Sequence, residues 1–276
     1  MIETKYDLSV AYRIYPKVSK TPPVFADDKY KLSELCLKSF INSLGTLKVK
    51  FWIILDNCPD EYSGLFKKYI PTDDLEFVKL PGVGNSETFT KQIDLLLGQI
   101  DSEYVYFAED DYFYLPDMFH ELLEFMKNNN GVHFVSPYNH PDYYEYHIHN
   151  YKYEVKPFLE RHWRTGATTC MTFLTTKNIL LQTEKTFRTY ARKNYDTSLW
   201  LSLTKYKLLN PLNLLKYIFI DKRMVKVFVK GWIHNGKQLI FGKKWKLWVP
   251  LPSIATHMDS KHLAPTIDWE QHFDKS

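Results

Sequence analysis

Short apolar segments alternate with segments of helical periodicity in the first third of the chain. The segments 7–14, 50–55 and 75–80 are short and largely apolar, which is typical of buried strands. Between them, apolar residues recur at intervals of three or four and predict helices over 29–44 and 60–69. Such alternation favours a parallel sheet with right-handed crossovers. The pattern therefore predicts an α/β fold.

The same alternation continues through the middle of the chain. It predicts a helix over 88–100, a buried strand over 104–108, a helix over 116–127 and a strand over 132–136. Pro116 suits the first turn of its helix, where the missing N–H would be unpaired anyway. The predicted sheet is therefore mostly parallel, Rossmann-like and flanked by helices.

The second half of the chain is richer in aromatic and basic residues. Tyrosine and histidine are dense over 138–153, and the alternation around 145–149 predicts an exposed strand or hairpin. A further strand is predicted over 161–174, followed by helices over 176–193 and 198–205.

Three consecutive acids, Glu109, Asp110 and Asp111, follow the strand predicted over 104–108. In open α/β sheets ligands bind at the carboxyl ends of the strands, so these side chains are candidates for a site. Adjacent carboxylates repel one another and call for a compensating cation, and hard oxygen donors suit Mg²⁺ or Mn²⁺. A solvated acidic turn is the alternative interpretation.

The composition is that of a globular protein. Of the 276 residues, 45% are apolar and 16% are aromatic, which excludes a disordered chain. Cys36, Cys58 and Cys170 are odd in number and match neither a disulfide framework nor a zinc pattern, so we expect a reducing compartment. The N-terminus lacks a basic segment followed by an apolar one, and we expect a cytoplasmic protein.

Positive charge is concentrated in the segment 205–249. It holds 11 Lys and Arg residues and one acid, whereas the rest of the chain holds 25 basic and 31 acidic residues. Trp232, Trp245 and Trp248 lie among these lysines. Tryptophans beside lysines are typical of a peripheral contact with anionic lipid at the inner face of a membrane. The alternative is a solvated basic face with the tryptophans in the core.

Two further patterns are weak. Gly82 and Gly84 begin a dinucleotide-binding fingerprint, but Glu87 replaces its third glycine and the loop follows the third predicted strand rather than the first. His147 and His149 would share one strand face, yet no cysteine or carboxylate lies at zinc-ligand spacing.

Four motifs occur in an order that resembles a known family. They are the acidic motif at 107–111, Gly166 in RTGATT, Asp196 in NYDTSLW and His257 in PSIATH. Over most of residues 7–260 the sequence resembles nucleotide-sugar-dependent glycosyltransferases of the GT-A fold, especially the inverting, family-two-like bacterial enzymes.

The resemblance implies a metal-assisted sugar transfer. Asp111 and His257 would hold Mn²⁺ or Mg²⁺ against the diphosphate of the donor, and Asp196 would be the base that takes the acceptor proton. The implied donor is a nucleotide-diphosphate sugar, with a UDP-sugar favoured. The implied acceptor is a glycan or lipid-linked glycan, and nucleic acid is not expected as a partner.

The residues expected to contact the donor lie at the ends of the first strands, in the following loops and in the acidic motif. They are Tyr12, Arg13, Tyr15, Asp56, Asn85, Glu109, Asp110 and Gly166. Simpler interpretations stay open for three residues: Asp196 as a helix cap, His257 as a packed or surface histidine and Gly166 as a turn residue.

The chain is expected to comprise a nucleotide-sugar-binding catalytic core over 1–204, a basic aromatic extension over 205–249 that faces acceptor or membrane, and a segment over 250–276 that returns His257 to the core. Two other function classes remain open. A nucleotidyltransferase would use a similar sheet and similar acids. A non-catalytic protein could bind carbohydrate or nucleic acid through the aromatic, basic surface.

Overall fold

The computed structural model describes residues 5–18 and 20–273. The outer limits of the expected first and last segments, residues 1 and 276, lie outside the described residues. The strands are β1 (Leu8–Ile14), β2 (Val49–Asp56), β3 (Leu75–Leu80), β4 (Tyr104–Glu109), β5 (Tyr112–Tyr114), β6 (Phe134–Val135), β7 (Val155–Phe158), β8 (Arg161–Gly166), β9 (Phe173–Thr176), β10 (Leu247–Leu251) and β11 (Ala255–His257).

The helices follow the predicted order in the first half of the chain. They are α1 (Lys29–Leu44), α2 (Glu61–Tyr69), α3 (Asn85–Gly98), α4 (Phe119–Asn128), α5 (Asp142–Glu145), α6 (Lys177–Phe187), α7 (Asp196–Thr204), α8 (Pro211–Ile220), α9 (Lys222–Phe241) and α10 (Glu270–Phe273).

One nine-stranded sheet runs through the described chain in the order β3-β2-β1-β4-β9-β6-β10-β8-β7. The first four strands are parallel, as predicted. Beyond β4 the sheet is mixed, because β9 runs antiparallel to both β4 and β6, and β8 runs antiparallel to β10 and β7. The predicted α/β fold class is confirmed.

Aromatic side chains fill both faces of the sheet around β4. Tyr106 stacks on Phe40 of α1 with ring centroids 5.6 Å apart, whereas the adjacent Phe107 stacks on Phe173 at 4.5 Å. Phe173 in turn meets Trp200 of α7. Because successive side chains of a strand point to opposite faces, β4 is buried on both sides and its acids emerge only at its end.

A small antiparallel sheet joins β5 to β11 and returns the C-terminal part of the chain to the acids. In its register His257 lies opposite Tyr112, the residue that follows Asp111. Neither strand was predicted, since three residues are too few to display a period of two. This pairing brings together parts of the chain that are 146 positions apart.

Two predictions of strands in the second half are wrong in detail. The strand expected around 145–149 is helical, with α5 followed by a single turn at His147–His149. The strand expected over 161–174 is two strands, β8 and β9. The segment 205–249 contains two helices, α8 and α9, and the start of β10, which belongs to the main sheet.

The three tryptophans of this segment differ in their exposure to solvent. Trp245 and Trp248 are buried, and Trp248 packs against Phe125. Only Trp232 is well exposed among the three. This corrects the expectation of three tryptophans at a membrane surface, because pairing of β10 within the sheet carries Trp248 into the core. Within the described part of the chain, no helix is both long and apolar enough to cross a membrane.

His133, beside the junction of β6 and β10, generates a prediction about pH. Its Nδ1 accepts a hydrogen bond from the Lys246 N–H at 3.1 Å. Burial, reinforced by Lys243 and Lys246, lowers the pKa of His133 to about 4. The unfolded imidazole titrates near pH 6.5, so this group stabilises the fold fully above about pH 6.5, and that contribution is lost as the pH falls towards 4.

The unfolding free energy of the native protein should fall between pH 7 and pH 4, and in His133→Gln it should fall less. We expect the two decreases to differ by at most about 3 kcal/mol. Urea unfolding at a series of pH values measures the difference. His120→Gln, on the exposed side of α4, serves as the control and should follow the native profile. Identical profiles for His133→Gln and the native protein would contradict the assignment.

Candidate functional site

A cavity of about 810 Å³ lies at the carboxyl ends of β1, β2 and β4. Its lining includes all but two of the residues expected from the sequence to form a site. The expected residues that line it are Arg13, Tyr15, Asp56, Asn85, Glu109, Asp110, Asp111, Asp196 and His257. The fold therefore brings together side chains from both ends of the described chain.

Tyr12 does not line the cavity, which corrects its expected role in donor binding. Its ring is buried in the core and packs against Phe40 and Phe66. Side chains alternate along β1, so Tyr12 and Arg13 cannot both face the same side of the sheet. Arg13 is the one that reaches the cavity.

Gly166 is also outside the cavity, and its expected contact with the donor is corrected as well. It lies in β8 opposite Leu247 of β10. A Cβ atom at this position would come within 3.1 Å of the Tyr143 hydroxyl oxygen. The glycine therefore allows a ring to pack closely against the strand.

Both oxygens of the Glu109 carboxylate are engaged within the protein. One pairs with the Arg13 guanidinium, and the other accepts a hydrogen bond from the Thr172 hydroxyl at 2.8 Å. Arg13 also donates to the backbone oxygen of Asn85 at 2.8 Å. Arg13 thereby ties the end of β1 to the end of β4 and to the start of α3.

Asp110 is neutralised by Lys29, whose Nζ lies 2.6 Å from Oδ2. The two side chains are 9% and 12% exposed, so the pair is largely removed from water. Burial raises the pKa of the Asp110 carboxyl, and the Lys29 ammonium opposes that shift. The backbone N–H of Tyr15 completes the contacts of this carboxylate at 3.4 Å.

Lys29 was not identified from the sequence as part of the site. It is the first residue of α1, where a positive charge opposes the helix dipole. This unfavourable position of a lysine was the feature of the sequence that could have indicated its role in the site. A lysine at a helix start, in a chain with an unpaired acidic cluster, can be held there by a carboxylate.

Asp111 forms the third pair, with His257. The imidazole Nε2 lies 3.1 Å from Oδ2. Although burial favours the protonated carboxyl, His257 lowers the pKa of Asp111 to about 2. Burial likewise opposes the imidazolium, but the Asp111 carboxylate raises the pKa of His257.

The other oxygen of Asp111, Oδ1, differs from the neighbouring carboxylate oxygens. It is buried and accepts no hydrogen bond from the described residues. A buried oxygen without a partner is costly, and it fits a position at which a cation binds. A carboxylate oxygen beside an imidazole nitrogen is also a donor set that suits Mn²⁺. Among the described residues, no group of three or more His, Cys, Asp or Glu side chains is arranged around one such position.

Asp56 shapes the wall of the cavity. Its two oxygens accept hydrogen bonds from the backbone N–H groups of Gly82, Val83 and Gly84, at 2.8–2.9 Å. Gly84 has a φ of 85°, which favours glycine, and it immediately precedes α3. The loop 81–84 is therefore held by a carboxylate of the protein itself rather than shaped as a phosphate-binding turn.

Asp196 lies at the first position of α7, where the main cavity meets a side cavity of about 430 Å³ that Lys193 and Lys230 also line. Its Oδ1 accepts the Thr197 N–H at 2.6 Å, whereas Oδ2 accepts no hydrogen bond from the described residues. The helix start is also stabilised by Asn194, whose side chain accepts from Tyr195 N–H and the Ser198 hydroxyl. Asn194 therefore shares the stabilisation of this helix start with Asp196, whose role as a base stays a prediction.

Other residues at or beside the site were missed besides Lys29. Tyr190, in the turn after α6, accepts a hydrogen bond from the Asn85 amide at 3.0 Å. Thr172, in the segment between β8 and β9, contacts Glu109. Both positions were assigned to the interior of longer predicted elements, so nothing in the sequence pattern separated them from the core.

Comparison with known proteins gives one family match. The family model described as Glycosyl transferase family 2 matches residues 30–182. No curated protein sequence matches the chain.

Three solved structures similar to the chain have low identity. Mannosyltransferase PcManGT from Pyrobaculum calidifontis, in complex with GDP-Man and Mn²⁺, is 13% identical with a TM-score of 0.35, over 49% of this chain and 36% of that one. S. aureus TarS is 13% identical with a TM-score of 0.40, over 65% and 30%. TarS 1–349 in complex with UDP-GlcNAc is 12% identical with a TM-score of 0.44, over 73% and 53%. The chain thus spans about a third to a half of these proteins.

The buried pair of Lys29 and Asp110 leads to a test of the site's charge balance. Lys29→Met leaves a buried carboxylate without its cation and is expected to lower the unfolding free energy by about 3–5 kcal/mol. Adding Asp110→Asn should restore most of this loss, because the charge that lacked a partner is gone. Urea unfolding measures both effects.

The matched control is Lys31→Met in the same helix. Lys31 pairs with Asp28 at the surface, where both side chains are well exposed, and its loss should cost less than about 1 kcal/mol. If Lys29→Met were no more destabilising than Lys31→Met, the proposed neutralisation of Asp110 by Lys29 would be wrong.

Proposed function

The chain belongs to glycosyl transferase family 2, and from this premise we propose that it transfers a sugar from a nucleotide-diphosphate sugar to a glycan or lipid-linked glycan. The observation that carries the proposal is the acidic cluster. Glu109 and Asp110 are neutralised by cations of the protein, whereas Asp111 keeps a buried oxygen beside His257 that has no partner among the described residues. The family match ends at residue 182, so the roles of His257 and Asp196 rest on geometry.

The donor is proposed to occupy the main cavity. Its nucleotide end would lie against Tyr15 and the loop that Asp56 holds, at the ends of β1 and β2. Glu109 and Asp110, whose charges are balanced internally, would accept hydrogen bonds from ribose or sugar hydroxyls. A UDP-sugar is the donor to test first.

Asp111 and His257 are proposed to hold a divalent cation, Mn²⁺ or Mg²⁺. The Asp111 Oδ1, which has no partner in the described part of the chain, and the adjacent imidazole fit such an ion. The remaining ligands of the ion would come from the donor and water. When bound, the ion would neutralise charge that develops on the diphosphate leaving group. Arg13 lies two residues before Tyr15 and orients the Asn85 side of the cavity.

Asp196 is proposed as the general base. As the acceptor oxygen attacks the anomeric carbon, the bond from that carbon to the diphosphate oxygen breaks, and the acceptor proton passes to the Asp196 carboxylate. Attack from the side opposite the leaving group inverts the configuration. Two observations support the assignment: two cavities meet at this residue, and its Oδ2 accepts no hydrogen bond from the residues that the structure describes.

We infer that the reaction takes place on the cytoplasmic side, at the inner face of a membrane when the acceptor is lipid-linked. Cys36, Cys58 and Cys170 are unpaired, which is consistent with a reducing compartment.

Product analysis with a panel of nucleotide sugars tests the function. We expect at least one donor to release its nucleoside diphosphate in the presence of Mn²⁺ or Mg²⁺, with transfer to a glycan acceptor or to water, and chelation of the metal should stop the release. Release of pyrophosphate from a nucleoside triphosphate mixed with a sugar 1-phosphate, without release of nucleoside diphosphate from any sugar donor, would instead indicate a nucleotidyltransferase. Binding of glycans without any turnover would indicate a non-catalytic protein.

Replacement of Asp196 tests the base. Asp196→Asn is expected to lower kcat by roughly a hundredfold or more while donor affinity changes little, because the carboxylate acts only on the acceptor proton. Single-turnover kinetics and calorimetric donor binding separate the two quantities. Asp60→Asn, at an exposed carboxylate on the surface, is the control and should leave both unchanged. An unaltered kcat in Asp196→Asn, or a product that retains the anomeric configuration, would exclude this mechanism.

A further inference from the structure

The helix α8 presents an apolar face to solvent. Leu212, Leu215 and Phe219 are 68%, 55% and 89% exposed. Their spacing of three and four residues places them on one side of the helix. Large apolar side chains clustered in this way on a surface mark an interaction site more often than isolated ones do.

The helix α9 follows α8 directly in the chain and carries a mixed stripe. Its exposed residues at helical spacing are Lys222, Lys226, Val229, Ile233, Lys237 and Ile240. Lys222, Lys226, Val229 and Ile233 therefore share one side of the helix, and Lys237 and Ile240 follow the kink at Asn235. Together with Leu212, Leu215 and Phe219 these residues are called the α8–α9 surface.

The opposite sides of both helices are packed against the protein. Tyr217 of α8 and Phe228 of α9 are buried against each other, with ring centroids 5.4 Å apart. Gly231 allows Leu208 to approach α9 closely, since a Cβ atom there would lie 3.3 Å from a Leu208 methyl group. The two helices thus have a buried side, and the α8–α9 surface is what this packing leaves uncovered.

Charge identifies the kind of partner. The charged residues of the α8–α9 surface, Lys222, Lys226 and Lys237, are all basic, and the whole segment 205–249 holds 11 basic residues and one acid, which favours an anionic partner. Lysine is depleted from the cores of protein–protein interfaces. By contrast, helices that lie in the headgroup region of a bilayer combine aliphatic side chains with lysines, whose stems lie along the apolar layer while their ammonium groups reach the phosphates. We propose that the α8–α9 surface binds an anionic lipid bilayer.

The helix α9 also reaches the candidate base. Lys230 of α9 lies 4.0 Å above the ring of Tyr195, and it lines the side cavity together with Asp196. A lipid-linked acceptor in the same bilayer would thus be held near the base. This last step rests on the proposed function, whereas binding of lipid does not.

Vesicle flotation at low ionic strength tests the proposal. The native chain is expected to float with vesicles of phosphatidylcholine and phosphatidylglycerol, to remain unbound with phosphatidylcholine alone, and to dissociate as salt is added. Phe219→Asp, and separately the double variant Lys226→Glu with Lys237→Glu, should each weaken partitioning by about tenfold or more.

Matched controls replace equally placed residues elsewhere. Ile100→Asp alters a side chain that is 87% exposed, and Lys48→Glu with Lys67→Glu makes the same change in net charge on exposed residues of another region. These variants should float like the native chain. Circular dichroism verifies that all variants are folded.

Three results would overturn the proposal. The first is no flotation of the native chain with either vesicle. The second is equal loss of binding in the surface variants and the controls. The third is a dimer in light scattering that Phe219→Asp dissociates, because a second copy would then cover this surface. Each can be observed whether or not the chain transfers sugar, so failure here leaves the proposed function to its own test.

Discussion

Glu109, Asp110 and Asp111 can stand side by side because each has its own positively charged or basic partner. Arg13 comes from β1, Lys29 from α1 and His257 from β11. Without these partners, three adjacent carboxylates at the end of a buried strand would repel one another and lose hydration. The partners are drawn from three separate elements, so the charge balance also fixes how those elements meet.

The three carboxylates are not neutralised to the same extent, and this difference determines which of them can bind a cation. Two of the carboxylates have both charge and hydrogen bonds largely satisfied within the protein, whereas Asp111 keeps one buried oxygen without a partner among the described residues. A carboxylate whose pKa lies at about 2 remains ionised at neutral pH. The sequence presents three equivalent acids, and the fold makes one of them available to a cation.

The alternation of apolar segments was enough to predict the first four parallel strands and the helices between them, because buried strands and amphipathic helices leave strong periodic signals. Short strands leave none, which is why β5 and β11 were missed. Tyr12 was misassigned because adjacency in sequence was taken as adjacency in the site, although a strand separates neighbours to opposite faces. The role of Lys29 depends on its contact with Asp110, which lies 81 positions away in the chain, and no local sequence pattern reveals such a contact.

The division of roles among the three acids is tested most directly by pulsed electron paramagnetic resonance of Mn²⁺ bound to the protein together with UDP. Coupling of the electron spin to a histidine nitrogen is expected in the native chain. It should disappear in His257→Gln and persist in His262→Gln, which alters another histidine of the same cavity. Mn²⁺ without nitrogen coupling, or coupling unchanged by His257→Gln, would contradict the assignment of Asp111 and His257 as the metal-binding pair.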